Sequence, residues 1–232
     1  QAESQLLILL KEKNESPVRQ VLNQVRREIA DAPPPALFTN SVGIDLVPLP
    51  PDNAWYISKS PITWRIFVQF LNETASALAH RTWASDQVKI DAQTSALVAV
   101  NPDSPVTDVS WNTATAFCFW LTEKTKAAVK YDLPGQEQLQ AWSGTAPLAF
   151  WCRDPWSRGT PFEQQMRERF SVNMMTIWDP AKHLKLDRTI GELAFAAYPD
   201  LGFCLVTRVD TVRQERMLRL RKELNLPVTE EK

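Results

Sequence analysis

Two amphipathic helical segments limit the folds available to this chain. The first, predicted over residues 61–79, begins at Ser60-Pro61, where a serine cap precedes a proline at the first helical position. The second begins at about Asn112 and again places apolar residues on one face. Short extended segments and proline-rich loops surround both helices, and long strands do not alternate with helices. We therefore expect an α+β domain with long irregular loops rather than a repeating β-α-β sheet.

The other predicted elements are short. Residues 42–49 are predicted to be extended, residues 55–57 to form a strand, residues 135–143 a short helix, and residues 201–206 an apolar strand. A final helix is predicted from Asp210. Its basic residues are expected to form a solvated face: Arg213, Arg216, Arg219, Arg221 and Lys222.

Residues 1–35 are predicted to form a helical stalk ahead of the domain. A second cap-and-proline pair, Ser16-Pro17, precedes one apolar stripe, and three consecutive prolines end the helix. The stripe is formed by Val18, Val21, Leu22, Val25 and Ile29. It must pack on the domain, on Leu6–Leu10 or on a second chain. Since the chain opens at Gln1 without a signal-peptide pattern, we expect a fragment or a processed chain. The predicted division is 1–35 stalk, 36–208 domain and 209–232 basic helix and tail.

The charge balance excludes two classes of partner. The 232 residues include 26 basic and 27 acidic side chains, for a formal net charge of -1. Such a chain has no basic field for nucleic acid or an anionic membrane surface. Its longest apolar run, Leu6–Leu10, is too short to span a bilayer, so we expect no membrane insertion.

Cysteine and histidine spacing gives no sign of a metal site. Three cysteines are present, Cys118, Cys152 and Cys204, and none belongs to a CxxC motif. Cys118 and Cys204 lie in apolar sequence and are expected to be buried, whereas a Cys152–Cys204 disulfide remains open. Two scattered histidines, His80 and His183, lack metal-ligand spacing. We predict no metal and no cofactor.

Three segments, in this order, resemble motifs of one family. Residues 60–72 (SPITWRIFVQFLN), 105–121 (PVTDVSWNTATAFCFWL) and 132–139 (DLPGQEQL) are similar to the formylglycine-generating-enzyme/sulfatase-modifying-factor family. Its motifs are "PVT…FxxFxN", "PVxxVSWxdAxaFCxWL" and "RLPTEAEWE". Residues 38–50 and 201–206 resemble its first strand and its closing "iGFRLV" strand, so the resemblance covers roughly residues 37–208. It implies a C-type-lectin-like α+β fold.

Departures from the family pattern argue against catalysis. Catalytic members hold copper with a late pair of cysteines, and two thiolates must converge on that ion. Here only Cys204 lies in the late region, in place of the arginine of "GFRLV". The glycines of "RGGSW" are lost at residues 174–178, and the calcium-site Asn and Glu of "GNVWEW" are lost at residues 146–151. We therefore predict a degenerate, non-catalytic member, a pseudoenzyme.

The leading functional prediction is a ligand-binding or sensory module. The resemblance implies the extracytoplasmic part of a bacterial signalling protein, periplasmic or at the cell surface, tethered through a segment upstream of Gln1. The nine Trp are mostly expected in the core, but one tryptophan cluster is considered for stacking on a protein, peptide or glycan ligand. The predicted contacts are Trp151, Arg153, Asp154, Trp156 and Trp178. The competing interpretation makes Arg153 and Asp154 a structural ion pair among buried rings.

Two other functions are kept as alternatives. One is a scaffold that self-associates through the apolar stripe of the N-terminal helix. The other is a copper-dependent oxidase of protein cysteine, which requires Cys152 and Cys204 to meet in space.

Overall fold

The structure is a computed structural model. It describes residues 24, 27, 33–78, 101–126, 130–144, 148–155, 174–178, 189–193 and 200–223. The chain divides into two compact units, residues 1–34 with 213–232 and residues 35–212. In the first unit Gln24 and Arg27 are helical, and the rest of the predicted stalk helix, including its apolar stripe, lies outside the described residues. Arg219 in this unit lies 3.8 Å from the Glu215 carboxylate.

The second unit contains a four-stranded antiparallel sheet. Its strands are β1 (Phe38–Thr39), β2 (Asp45–Leu49), β3 (Trp55–Ser58) and β8 (Val206–Arg208), in the order β1-β2-β3-β8. Leu49 pairs with Trp55 across a tight turn, and Trp55 pairs with Arg208 on the other side. The closing segment of the unit therefore returns to pair with a strand near its beginning.

A second four-stranded sheet has the order β6-β5-β4-β7. Its strands are β4 (Ala149–Pro155), β5 (Met174–Trp178), β6 (Thr189–Leu193) and β7 (Leu201–Gly202). β4 pairs antiparallel with β5 and parallel with β7, and its register against β5 shifts between Trp151 and Pro155. Such a shift bends the strand and redirects the side chains at its end.

Four helices have both of their ends within the described residues: α1 (Trp64–Leu78), α2 (Trp111–Thr125), α3 (Gln136–Ala141) and α4 (Val209–Glu223). All four match the segments predicted from the sequence. α1 begins three residues after Pro61 because the residues between them form other backbone contacts. Ile62 N–H donates a hydrogen bond to the Phe203 carbonyl, and Thr63 forms an isolated β-bridge with Pro105. α2 begins after Ser110, whose hydroxyl accepts a hydrogen bond from Thr113 N–H.

The prediction of one strand over residues 201–206 is wrong. Leu201 pairs with Ala149 in the second sheet, while Val206 pairs with Ile57 in the first sheet. The apolar run is continuous because Phe203, Cys204 and Leu205, which connect the two strands, are fully buried. An apolar pattern reports burial and does not distinguish a strand from a buried crossing between two sheets.

The core has two apolar clusters. The larger is built around the packed rings of α1, α2 and the β7–β8 connection: Phe67, Phe70, Phe117, Trp120 and Phe203. The smaller contains Leu49, Ile57, Leu139, Trp142, Phe150, Cys152, Cys204 and Val206. The expected burial of Cys118 and Cys204 is confirmed, and all three cysteines are free, so the disulfide left open above is not formed. The mixed helix-and-sheet class is confirmed as well. None of the helices in the described part of the chain has the length and apolar character needed to cross a membrane.

Candidate functional site

A groove of about 710 Å³ lies where the β2–β3 turn, the start of α3 and the end of β4 meet. Two of the five predicted ligand contacts, Arg153 and Asp154, line it. The full lining is Leu49, Pro50, Pro51, Asp52, Trp55, Gly135, Gln136, Glu137, Gln138, Ala141, Arg153 and Asp154. We call this cavity the β4 groove.

The β2–β3 turn forms one wall. Its prolines, Pro50 and Pro51, are exposed and cannot extend the strand ladder. The Asp52 carboxylate accepts a hydrogen bond of 3.0 Å from Ala54 N–H, which fixes the turn. Trp55 is half-buried, and the guanidinium carbon of Arg208 lies 5.3 Å from the centroid of its ring. The turn therefore presents an apolar and aromatic wall with one carboxylate on its rim.

The start of α3 forms the second wall, and Asp154 holds it in place. Gln136 N–H donates to Asp154 Oδ2 at 2.8 Å, and Gly135 N–H donates to Gln138 Oε1 at 2.8 Å. These bonds satisfy two backbone donors that a helix start leaves without partners. A Cβ at Gly135 would lie 3.1 Å from Asp154 Oδ2, so glycine allows this close approach.

Arg153 forms its ion pair with Asp132 and not with Asp154. Arg153 Nη1 lies 3.7 Å from Asp132 Oδ2, with 41% and 38% of the two side chains exposed. The backbone N–H of Arg153 also donates to Pro134 at 2.9 Å, which ties β4 to the approach to α3. The two charged residues predicted at this site therefore have separate structural partners as well as places on the groove wall.

The three predicted tryptophans do not share this location in the described structure. Trp151 is fully buried, and its indole Nε1 donates to the Val109 carbonyl at 2.9 Å. Its ring is thus a core element, and the structure gives it no ligand-stacking surface. The backbone of Trp178 lies in β5 opposite Phe150. Trp156 lies outside the described residues.

Groove residues that sequence reasoning missed come from distant parts of the chain. Asp52 and Trp55 belong to the β2–β3 turn, and Glu137 is an exposed residue in the first turn of α3. The Pro-Pro-Asp turn between two predicted strands marks an exposed loop. Nothing in its local pattern indicates that it faces α3.

The described donor atoms do not fit the metals that the family resemblance implies. Burial raises the pKa of Cys204 to about 12, so its sulfur is a protonated thiol at neutral pH and a poor copper ligand. The carboxylates of Asp132 and Asp154 are engaged by Arg153 and by Gln136 N–H. In the described ranges no three His, Cys, Asp or Glu side chains are grouped to hold a metal ion.

Comparison with known proteins places the chain in a family. The crystal structure of CarF is similar at 13% sequence identity and a TM-score of 0.45, over 66% of this chain and 86% of that one. No curated protein matches the chain. Residues 51–180 match the Sulfatase-modifying factor enzyme 1-like domain. This range is more than half of the 232 residues, and it includes every groove residue from Pro51 to Asp154. The chain therefore belongs to the sulfatase-modifying factor enzyme 1-like domain family.

Proposed function

We propose that this protein is a non-catalytic ligand-binding module and that its ligand occupies the β4 groove. The observation that supports the proposal is the composition of that groove. Its volume of about 710 Å³ falls within the range of about 300–1,000 Å³ typical of ligand sites, and its walls combine Trp55 and prolines with Arg153 and Asp154. Apolar surface supplies binding free energy, while the few polar groups orient the ligand.

Burial of the cysteines supports the absence of catalysis in this proposal. Cys152 and Cys204 are fully buried in the smaller apolar cluster, and neither of them lines the groove. An oxidising or nucleophilic cysteine acts as a thiolate in a partly exposed, electropositive setting. The raised pKa of Cys204 is the opposite condition.

The resemblance supports a sensory context for this binding. We propose that the domain is the extracytoplasmic part of a bacterial signalling protein and that it reports on a protein, peptide or glycan ligand. The scaffold alternative depends on the apolar stripe between Val18 and Ile29, outside the described residues. Light scattering of the full chain tests it, since a monomer contradicts self-association.

A steric block of the groove tests the proposal. Ala141 is exposed and lines the groove, so Ala141→Trp fills it while removing none of the hydrogen bonds described above. Glu123→Trp, at an exposed position of α2, is the matched control. The full chain is screened by thermal shift against glycans, peptidoglycan fragments, short peptides and small amines. Any ligand found should bind the control normally and Ala141→Trp at least about tenfold more weakly. Equal binding to both variants contradicts a site in the groove.

One observation favours the oxidase as a second candidate: Cys152 and Cys204 belong to the same apolar cluster. Copper(I) uptake by the fully reduced protein decides this alternative. Stoichiometric uptake that is lost in Cys204→Ala supports it, whereas no uptake rules it out.

A further inference from the structure

We infer that the β4 groove selects ligands carrying an organic cation, an ammonium or guanidinium group on an alkyl chain. The inference rests on the proposed function and adds the chemical class of the ligand. Its basis is the pairing of negative charge with an apolar, aromatic wall in one cavity.

The charge of the lining is negative although the chain as a whole is nearly neutral. The lining includes three carboxylates, Asp52, Glu137 and Asp154, and one guanidinium, Arg153, for a formal charge of −2. Two opposite charges beside the lining leave this sum unchanged: Asp132 lies 3.7 Å from Arg153, and Arg208 lies over the ring of Trp55. A cleft lined by one sign of charge concentrates ligands of the opposite sign.

The three carboxylates differ in how many hydrogen bonds they already accept from the protein. Asp154 Oδ2 accepts the hydrogen bond from Gln136 N–H, and Asp52 Oδ1 accepts the one from Ala54 N–H. Glu137 is exposed, and its side chain has no hydrogen bond or ion pair within the described part of the chain. Glu137 and the second oxygen of Asp52 are therefore the groups we assign to the ligand cation.

Trp55 and the adjacent prolines complement the rest of such a ligand. The guanidinium of Arg208 lies 5.3 Å from the Trp55 ring centroid, so this ring already holds a cation of the protein itself and offers the ligand its remaining apolar surface. Leu49, Pro50 and Pro51 add apolar surface beside it. Methylene groups pack on such a wall while the charged end stays near the carboxylates, as lysine and arginine side chains do on protein surfaces.

Calorimetric titration with matched probes tests the inference. The cations are agmatine, 1-aminopentane and a capped Gly-Lys-Gly peptide. Their neutral counterparts are 1-pentanol and a capped Gly-norleucine-Gly peptide, and succinate is the anion. Comparison of the amines with the lysine peptide shows whether the cation must be free or can belong to a peptide. We expect the cations to bind more tightly than their counterparts, and added salt to weaken that preference.

Charge-removing variants locate the binding. Glu137→Gln and Asp52→Asn should each weaken cation binding about two- to fivefold, and the double variant about tenfold or more. Glu123→Gln removes the same charge from an exposed position of α2 outside the groove and should have no such effect. Because Asp52 and Glu137 are exposed, circular dichroism melts should confirm that the variants remain folded.

The outcomes separate this inference from the proposed function. If succinate or a neutral probe binds best, and Ala141→Trp blocks it, the groove is a ligand site and the cation inference is wrong. If cations bind equally to the double variant and to Glu123→Gln, the inference is wrong because binding arises elsewhere. If no probe or screened ligand binds in a manner sensitive to Ala141→Trp, both proposals fail.

Discussion

Trp111 and Trp151 exchange hydrogen bonds between the start of α2 and strand β4. The Trp111 indole donates to the Cys152 carbonyl at 2.9 Å, and the Trp151 indole donates to the Val109 carbonyl at 2.9 Å. Each ring thus anchors the segment from which the other projects. Since β4 continues directly into Arg153 and Asp154, this pair of contacts fixes one wall of the groove relative to the core.

Trp151→Phe should destabilise the protein more than Trp111→Phe. The Trp151 ring is fully buried, so its replacement leaves a cavity and a buried Val109 carbonyl without its partner. We expect the free energy of unfolding to fall by about 2–3 kcal/mol. Trp111 is only half-buried, so water can replace its contact and the loss should be about 1 kcal/mol. Urea denaturation of both variants measures the difference, and equal losses contradict this assignment of Trp151 to the core.

Asp154→Ala should destabilise the start of α3 by about 1 kcal/mol, because Gln136 N–H loses its acceptor. Asp154→Asn retains a side-chain oxygen at that place and should cost only a few tenths of a kcal/mol. Thermal denaturation of the two variants compares them. Equal losses for Asp154→Asn and Asp154→Ala contradict the capping role, because both variants remove the charge and only Asp154→Asn keeps the acceptor oxygen.

Local patterns predicted the elements well because apolar spacing is a property of neighbouring residues. The apolar stripe of α1 is an example, since Phe67, Phe70 and Leu71 are buried, but the predicted start at Ser60-Pro61 is wrong because α1 begins at Trp64. The site was predicted in part: Arg153 and Asp154 line a groove, but Trp151 is in the core. Asp52 and Glu137 lie 85 positions apart, and only the packing of the β2–β3 turn near α3 brings them to one cavity. The apolar run 201–206 likewise did not reveal that it crosses between sheets.

Glu73 should contribute stability at neutral pH that is lost in acid. Hydrogen bonds from Lys124 and Trp120 lower the pKa of Glu73 below its ordinary 4.5. The lowered pKa means that folding stabilises the ionised form of Glu73. Its contribution to the free energy of unfolding is therefore complete above pH 4.5, and it disappears as the pH falls through the lowered pKa of the folded state. Its size is about 0.5 kcal/mol, since 42% of the Glu73 side chain is exposed.

Glu73→Gln tests this pH dependence. The variant should unfold at a lower temperature than the native protein at pH 7, and the gap should close as the pH falls through the lowered pKa of Glu73. Asp103→Asn, which removes a carboxylate from the exposed pair with Arg65, provides a comparison at the surface. If the difference in unfolding temperature between Glu73→Gln and the native protein persists unchanged in acid, the contacts of Glu73 stabilise the fold by packing and not by charge.

The three cysteine thiols should resist modification until the protein unfolds. Cys118, Cys152 and Cys204 are all free and buried, and burial raises the pKa values of Cys118 and Cys204, the latter to about 12. A protonated, buried thiol is a poor nucleophile toward a disulfide reagent. We expect negligible reaction with Ellman's reagent at pH 8 in the native state and three equivalents in denaturant. The contrary result is a fast reaction of the native protein with Ellman's reagent that is lost in Cys204→Ala but not in Cys118→Ala. It would show that Cys204 is reactive, and it would favour the oxidase over the binding module.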